Sequence, residues 1–418
     1  MQSFFINCFL VFAFDSFFFL KHLDLQLDFA VQIWYNNSKY VDESLEEAYM
    51  KILLLCVTTD VVIGFRKSLI ESMQKLGHEV SVITFDRKHE DIIKSRGINF
   101  YCLEDSNRGL NPLKVLTLKN RYAKMISDIA PDIVFTFMLK PNIFGVLGAK
   151  KAGITNIYSM MEGVGDVFIY NTLKWRMIRR VVCYLLRKSF RYSKKVFFLN
   201  CDDRDEFISY KLVKEEQCDI IPGIGVDLDR FAPKALENTD SFLMVSRMLK
   251  TKGVLEYCEA AKKVKERYPN AKFRYVGPEN TLKVADIQSY IDDGVIEYIG
   301  ATLDTVPYYE QTAVSVLPSY REGLGLVNVE AAAVCRPVIT CDTVGTKYTV
   351  IDNYNGFLIP VADSDALAEK MIYFLEHPDM IRTMGENGRK FAEDNFDQKK
   401  INQKICHVLG LDSVKETI

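Results

Sequence analysis

The chain has 418 residues, 48% of them hydrophobic and 26% charged, and its 53 Lys and Arg against 55 Asp and Glu leave a formal net charge of −2. That length exceeds one ordinary core and suggests two or three domains, while the composition excludes long disordered tracts and collagen-like or coiled-coil rods. A near-neutral balance argues against a protein that coats nucleic acid. The ten cysteines are scattered, with no Cys-x-x-Cys pair. Neither a zinc ribbon nor a thioredoxin-type site is supported, and single thiols point to a reducing cytoplasm.

Residues 1–20 hold eight phenylalanines and no Lys or Arg. A secretory signal would start with basic residues, and a spanning helix would need about 20 clean apolar residues. Asn7, Asp15 and Ser16 interrupt the run. Met50 opens Met-Lys-Ile-Leu-Leu-Leu-Cys-Val, which has the pattern of a first buried strand. Residues 1–49 are therefore expected to be an over-called extension, with a weak membrane anchor as the rival.

From Met50 onward, short Val/Ile/Phe-rich runs alternate with amphipathic stretches of helical length. The runs are 50–57, 79–84, 132–137, 154–159 and 195–199 in the first half. In the second half they are 242–246, 272–276, 295–299, 313–317 and 337–341. Runs apolar on both faces, spaced this way, predict parallel strands covered by helices. The fold class is α/β, with two doubly wound, Rossmann-like domains in preference to one barrel. The boundary is expected near Ile221-Pro222-Gly223-Ile224-Gly225.

Within the first half, Leu173 to Lys195 carries nine Lys and Arg and no acid. Arg176, Arg180, Arg187 and Arg191 fall on one helical stripe, with Met177, Val181 and Leu185 expected on the opposite, apolar side. Such a helix suits an anionic membrane surface, or else is a solvated face packed on its own domain. Nucleic acid is disfavoured because no aromatic-basic platform accompanies it.

In the second half the chemistry lies just after the strands. Arg247, Lys250, Lys252 and Gly253 follow the first run, Gly277-Pro278 the second, and Gly300 the third. Pro318-Ser319-Tyr320-Arg321-Glu322-Gly323-Leu324-Gly325 follows the fourth, and Thr343-Val344-Gly345-Thr346 the fifth. Parallel sheets bind ligands at these ends, so cations, glycines and a carboxylate converge there. That set suits a ligand with phosphates and hydroxyls. Glu330 lies in a helix apolar nearly all round, where a carboxylate needs hydrogen-bond donors such as sugar hydroxyls. Alternatively, Glu330 pairs with a core cation, Glu322 only favours the helix dipole, and Arg247 and Lys252 are plain surface charges.

Taken together, Arg247-x4-Lys252-Gly253, Pro318-Ser319-x2-Glu322-Gly323 and the Glu322-x7-Glu330 pair resemble a family 4 glycosyltransferase of GT-B fold. The stretch Ile221 to Phe231 is similar to the segment joining that family's two domains. Lys140-Pro141-Asn142-Ile143-Phe144-Gly145 and Gly109-Leu110-Asn111-Pro112 are similar to its bacterial capsule, O-antigen and undecaprenyl-diphosphate-linked oligosaccharide branch. The resemblance implies two Rossmann-like domains facing across a cleft. Residues 50–225 would be the acceptor side and 226–395 the nucleotide-sugar side, with 396–418 a helix returning to the first domain.

It also implies a retaining transfer of a hexose or N-acetylhexosamine, needing no metal and no cofactor, from a nucleotide-sugar donor to a lipid-linked or glycan acceptor. Arg247 and Lys252 would hold the departing diphosphate, and Glu322 the donor-sugar hydroxyls. Gly323, Leu324, Gly325 and Leu326 would line the sugar with their amides, and Glu330 would accept from the ribose. Gly64 and Gly277 complete the donor side. Relatives often carry Asn at the position of Gly223 and Glu near Tyr348. No histidine here is a convincing base, so Glu162 and Asp166 are the acceptor-side candidates for the proton. The protein is expected in the cytoplasm, with the 173–195 helix as its contact to the inner face of the membrane. Alternatives are a sugar-nucleotide 2-epimerase of related fold and a non-catalytic, membrane-associated assembly partner.

Overall fold

Short runs such as Ile133–Phe137 and Val314–Leu317 are buried on both faces, so each can only lie in a sheet covered on both sides. The computed structural model describes residues 49–105, 112–169 and 172–411. Two all-parallel sheets result. The first has seven strands: β1 (Lys51–Leu55), β2 (Glu79–Thr84), β3 (Asn99–Cys102), β4 (Ile133–Phe137), β5 (Ile157–Met161), β6 (Lys195–Phe198) and β7 (Cys218–Ile220), in the order β3-β2-β1-β4-β5-β6-β7. The second has six: β8 (Ser241–Val245), β9 (Lys272–Val276), β10 (Glu297–Gly300), β11 (Val314–Leu317), β12 (Val338–Cys341) and β13 (Gly356–Ile359), in the order β10-β9-β8-β11-β12-β13. Strand order reverses beside β1 in one sheet and beside β8 in the other. Each reversal leaves a crevice at the carboxyl ends of the strands.

β3, β7 and β13 are additional to the strands expected from the sequence. β3 and β7 are only partly buried, and β7 is three residues long, so neither carries an apolar run. β13 begins at a glycine, whose missing side chain leaves room for the backbone of Val338 on β12.

Each sheet has an apolar cluster on either face. Leu54, Phe135 and Phe197 belong to one side of the first sheet, and Leu53, Leu55 and Val134 to the other. The segment Pro141–Gly145 is a π-helical turn whose Asn142 is fully buried. Its amide accepts from Thr136 Oγ1 at 2.6 Å and donates to the Met160 carbonyl at 2.9 Å, tying β4 to β5. This part of the Lys140–Gly145 motif is thus used in the core. Gly109, Leu110 and Asn111 lie outside the described residues, as do residues 1–48 of the extension.

Between the sheets the chain passes Ile221 to Val226, and it returns beside the same place. Val226 donates to the Phe396 carbonyl at 2.8 Å, and Gln398 donates back to Val226 at 3.2 Å. The helix Gln398–Leu409 then packs on the helix Lys67–Lys75, where Asn402 donates to Ser68 Oγ at 2.7 Å. No helix among the described residues is long and apolar enough to cross a membrane.

Arg336 is fully buried and donates to the carbonyls of Lys234, Tyr309, Glu310 and Val334 at 2.9–3.2 Å. With the Cys335 carbonyl at 3.3 Å, one side chain serves five backbone acceptors from three separate segments. Arg336→Met is expected to destabilise the protein by about 3 kcal/mol, because those carbonyls lose their donors together. Chemical denaturation checks this, and a loss below about 1 kcal/mol would mean that water replaces the guanidinium.

Candidate active site

The loops after β8, β9 and β11 converge because parallel strands end at one edge. Ser319 Oγ donates to the Thr251 carbonyl at 3.1 Å, and Tyr320 N donates to the same oxygen at 2.9 Å. These bonds draw the loop after β11 onto the short turn Lys250–Lys252. Lys252 Nζ and the Glu322 carboxylate are in direct contact, and each side chain is largely screened from solvent. Glu322 N in turn donates to the Val344 carbonyl at 3.0 Å, joining the loop after β12 to the group.

Arg247 is exposed and makes no ion pair among the described residues. It lines a cavity of about 190 Å³ with Val245, Ser246, Val276, Gly277, Pro278, Thr302, Thr305 and Val327. Gly277 in this wall packs directly against the backbone of Ser246 because it has no side chain. Its φ is +152°, and a Cβ there would collide with the Ser246 carbonyl.

Gly325 precedes the helix Leu326–Ala333, with Asn328, Val329 and Ala331 to Ala333 buried. Glu330 lies one turn after Val327 and is only partly exposed. It forms no ion pair among the described residues; its bond is from Tyr309 Oη at 3.1 Å, a hydroxyl that also donates to the Val327 carbonyl at 3.2 Å. Burial of the carboxyl pushes it up to about 7, against the lowering effects of Tyr309 and the more distant Arg230. The core-cation alternative for Glu330 is thus not what the structure holds.

Across from these loops, Glu162 follows β5 and pairs with Arg66, which is completely buried and stacks on the Phe137 ring at 4.2 Å. Gly323 touches this segment backbone to backbone, since a Cβ on Gly323 would collide with the Glu162 carbonyl. Leu324 fills the space left by Gly223, whose φ of +70° is also open to Asn. Gly64 ends the short helix Thr59–Ile63 two residues before Arg66. Asp166 opens the helix Asp166–Ile169, and its side chain is outside the described residues. His89 Nε2 lies 2.9 Å from Asp60 Oδ1, and His78 Nε2 lies 3.4 Å from the Leu411 carbonyl, both outside this group. No group of three or more His, Cys, Asp or Glu set to hold a metal occurs among the described residues.

The basic helix spans Leu173–Phe190 and corrects one expectation. Met177 and Val181 are exposed together with Leu173 and Tyr184, whereas Cys183, Leu186 and Phe190 form the packed side. The packed face lies on the other flank of the Arg stripe because Phe207 and Val196 meet the helix there.

Arg66 and Tyr309 are functional-site neighbours that sequence reasoning missed, and Arg321, named there only as part of its loop, was given no partner. Arg66 beside Lys67 has the look of a surface charge, and Tyr309 lies 21 residues before Glu330 with no local signal.

Residues 226–391 match the family described as Glycosyl transferases group 1, and residues 51–191 match Glycosyl transferase 4-like. The chain belongs to the glycosyltransferases. This glycosyltransferase is 27% identical to an N,N'-diacetylbacillosaminyl-diphospho-undecaprenol alpha-1,3-N-acetylgalactosaminyltransferase of Campylobacter jejuni, over 85% of this chain and 97% of that protein. It is 23% identical to the capsular polysaccharide biosynthesis glycosyltransferase CapM of Staphylococcus aureus, over 79% and 96% of the two chains. Among solved structures, Anabaena HepE in complex with UDP and glucose superposes with a TM-score of 0.71 at 18% identity, covering 87% of this chain and all of that one. The shared fold is GT-B, two Rossmann-like domains of parallel sheet.

A carboxyl held near 7 when folded and at an ordinary 4.5 when unfolded favours folding only while it is protonated. That contribution is complete below about pH 4.5 and is lost as pH rises through 7. Glu330→Gln should therefore melt roughly 2–5 °C above the wild type at pH 8.5, with the gap narrowing toward pH 5.5. Melting curves across that range check the sign.

Proposed function

We propose that this glycosyltransferase moves a hexose or N-acetylhexosamine from a UDP-linked donor to a lipid-linked acceptor of cell-surface glycan synthesis, retaining anomeric configuration without a metal ion. The observation that carries the donor reading is Glu330. It is a carboxylate with no ion pair among the described residues, one turn from the wall of the Arg247–Gly277 cavity, and a ribose would supply further hydroxyl donors. The nucleoside would fill the cavity, with the diphosphate running toward Arg247 and Lys252 and the sugar toward Glu322 and the amides of Gly323 to Leu326.

Retention and metal independence are what the resemblance to family 4 implies. In the transfer, the bond from the anomeric carbon to the phosphate oxygen breaks and its electron pair leaves with UDP. The acceptor oxygen bonds to that carbon on the same face. Its proton would pass to Glu162, whose backbone abuts the donor-sugar loop, and then to solvent. Arg247 and Lys252 would stabilise the growing diphosphate charge.

The acceptor class rests on the relatives. The Campylobacter jejuni protein and a UDP-Gal:alpha-D-GlcNAc-diphosphoundecaprenol alpha-1,3-galactosyltransferase of Escherichia coli carry undecaprenol in their names. The helix Leu173–Phe190 supports a peripheral contact with an anionic membrane, since Leu173, Met177, Val181 and Tyr184 are exposed beside Arg176, Arg180 and Lys188. Nucleic acid has no comparable surface in this reading.

A thermal-shift panel of UDP-GlcNAc, UDP-GalNAc, UDP-Gal, UDP-Glc and GDP-Man, with and without EDTA, tests the donor site. One UDP-sugar should stabilise the protein equally in EDTA and fail to do so in Glu330→Ala. No shift with any donor would refute the reading, and epimerised donor in place of UDP release would replace it with the epimerase. Lys252→Ala should lower turnover roughly 10²-fold with the protein still folded, measured as UDP released. Near-normal turnover would remove Lys252 from the reacting centre.

A further inference from the structure

Side chains of the first two turns of the helix Cys201–Ser209 bond the donor-sugar loop to the first domain. Arg321, next to Glu322, brings Nη2 within 2.6 Å of Asp203 Oδ1 and 2.8 Å of Glu206 Oε2. Asp203 is 1% exposed, and Arg321 and Glu206 are each under a quarter exposed, so the three charges meet largely out of water. Asn200 caps the same helix by accepting from Asp203 N at 2.7 Å, and its Nδ2 donates to the Gly323 carbonyl at 2.7 Å. Asp202 completes the turn, taking Tyr348 Oη at 2.9 Å and Lys347 Nζ at 2.7 Å from the loop after β12. Arg321 and Gly323 thus bracket Glu322, and both are bonded to the first domain while Glu322 itself is bonded to Lys252 of the second.

We propose that Arg321 is a positioning residue. Through Asp203 and Glu206 it makes closure of the two domains and the placement of Glu322 on the donor sugar a single event. This rests on the reading of Glu322 as the sugar-binding carboxylate. The nucleotide is held by the second domain alone, by Arg247, Gly277 and Glu330, and so does not depend on Arg321. The sugar and its attacked carbon do, because a free loop leaves Glu322 attached to Lys252 but unaligned with Glu162 across the cleft. Both carboxylates are met by the one nitrogen Nη2, whose two N–H bonds lie fixed in the guanidinium plane, so the loop is held in direction as well as distance; a lysine ammonium keeps the charge without that fixed plane.

The test separates nucleotide binding from turnover. UDP affinity is measured by calorimetry. Turnover is measured as UDP release, with water taking the sugar in place of the lipid-linked acceptor, from an equimolar mixture of UDP-GlcNAc, UDP-GalNAc, UDP-Glc and UDP-Gal. Arg321→Gln should keep UDP affinity within about twofold and lower UDP release by roughly tenfold or more. Asp203→Asn should reproduce the loss, the double variant should lose no more than either alone, and Arg321→Lys should recover part of it. Turnover within about twofold of wild type in Arg321→Gln overturns the proposal, as do additive losses in the double variant. A parallel fall in UDP affinity also overturns it, since the residue would then hold up the whole loop. Failure of the donor-site reading has a different signature: the wild type would bind no UDP.

Discussion

The two domains meet where Gly323 presses its backbone against the Glu162 carbonyl, and little else in the cleft is independent of that contact. Any side chain at position 323 would prop the halves apart. With none there, the peptide on either side is committed. Its carbonyl goes to Asn200, its preceding residue Glu322 to Lys252, and Arg321 to Asp203. The segments carrying Glu162 and Glu322 are therefore brought together, backbone to backbone, by a steric allowance. Attraction between the two side chains would not do it, since both are acids and neither alone favours the approach.

Charge is distributed around this contact in two different ways. Glu322, Glu162 and Asp203 each have a cation, Lys252, Arg66 and Arg321 respectively, and are held in orientation by it. Glu330 has none among the described residues, and its carboxyl instead sits against Tyr309 with capacity for further donors. Arg247 likewise has no carboxylate partner among the described residues and faces a cavity. The paired groups belong to the walls of the cleft. The acid and the cation without an ion pair among the described residues lie on either side of the cavity lined by Gly277 and Val327.

Much of the fold was legible because parallel strands buried on both faces leave uninterrupted apolar runs. β1, β4 and β8 stand out in this way. β3, β7 and β13 do not, because short, half-buried or glycine-led strands gain their stability from a neighbour already in place. The amphipathic helix at Leu173–Phe190 was legible as a helix, but which flank of its basic stripe faces inward depended on where Phe207 arrives from another part of the chain. Arg247, Lys252, Glu322 and Glu330 were visible as residue types placed just after strands. Their partners were not: Tyr309, Arg66 and the Asn200–Glu206 turn lie tens to more than a hundred residues away and carry no local signal.

By itself, the sequence determined the α/β class, the two sheets and the positions at which chemistry is concentrated, because period and composition act over a few residues. The tertiary structure decided which carboxylates are paired and which stand open, and which glycine serves as the contact between domains. Those outcomes depend on distances between segments remote in the chain, and a hydrogen bond or a steric allowance between them exists only once both sheets have formed.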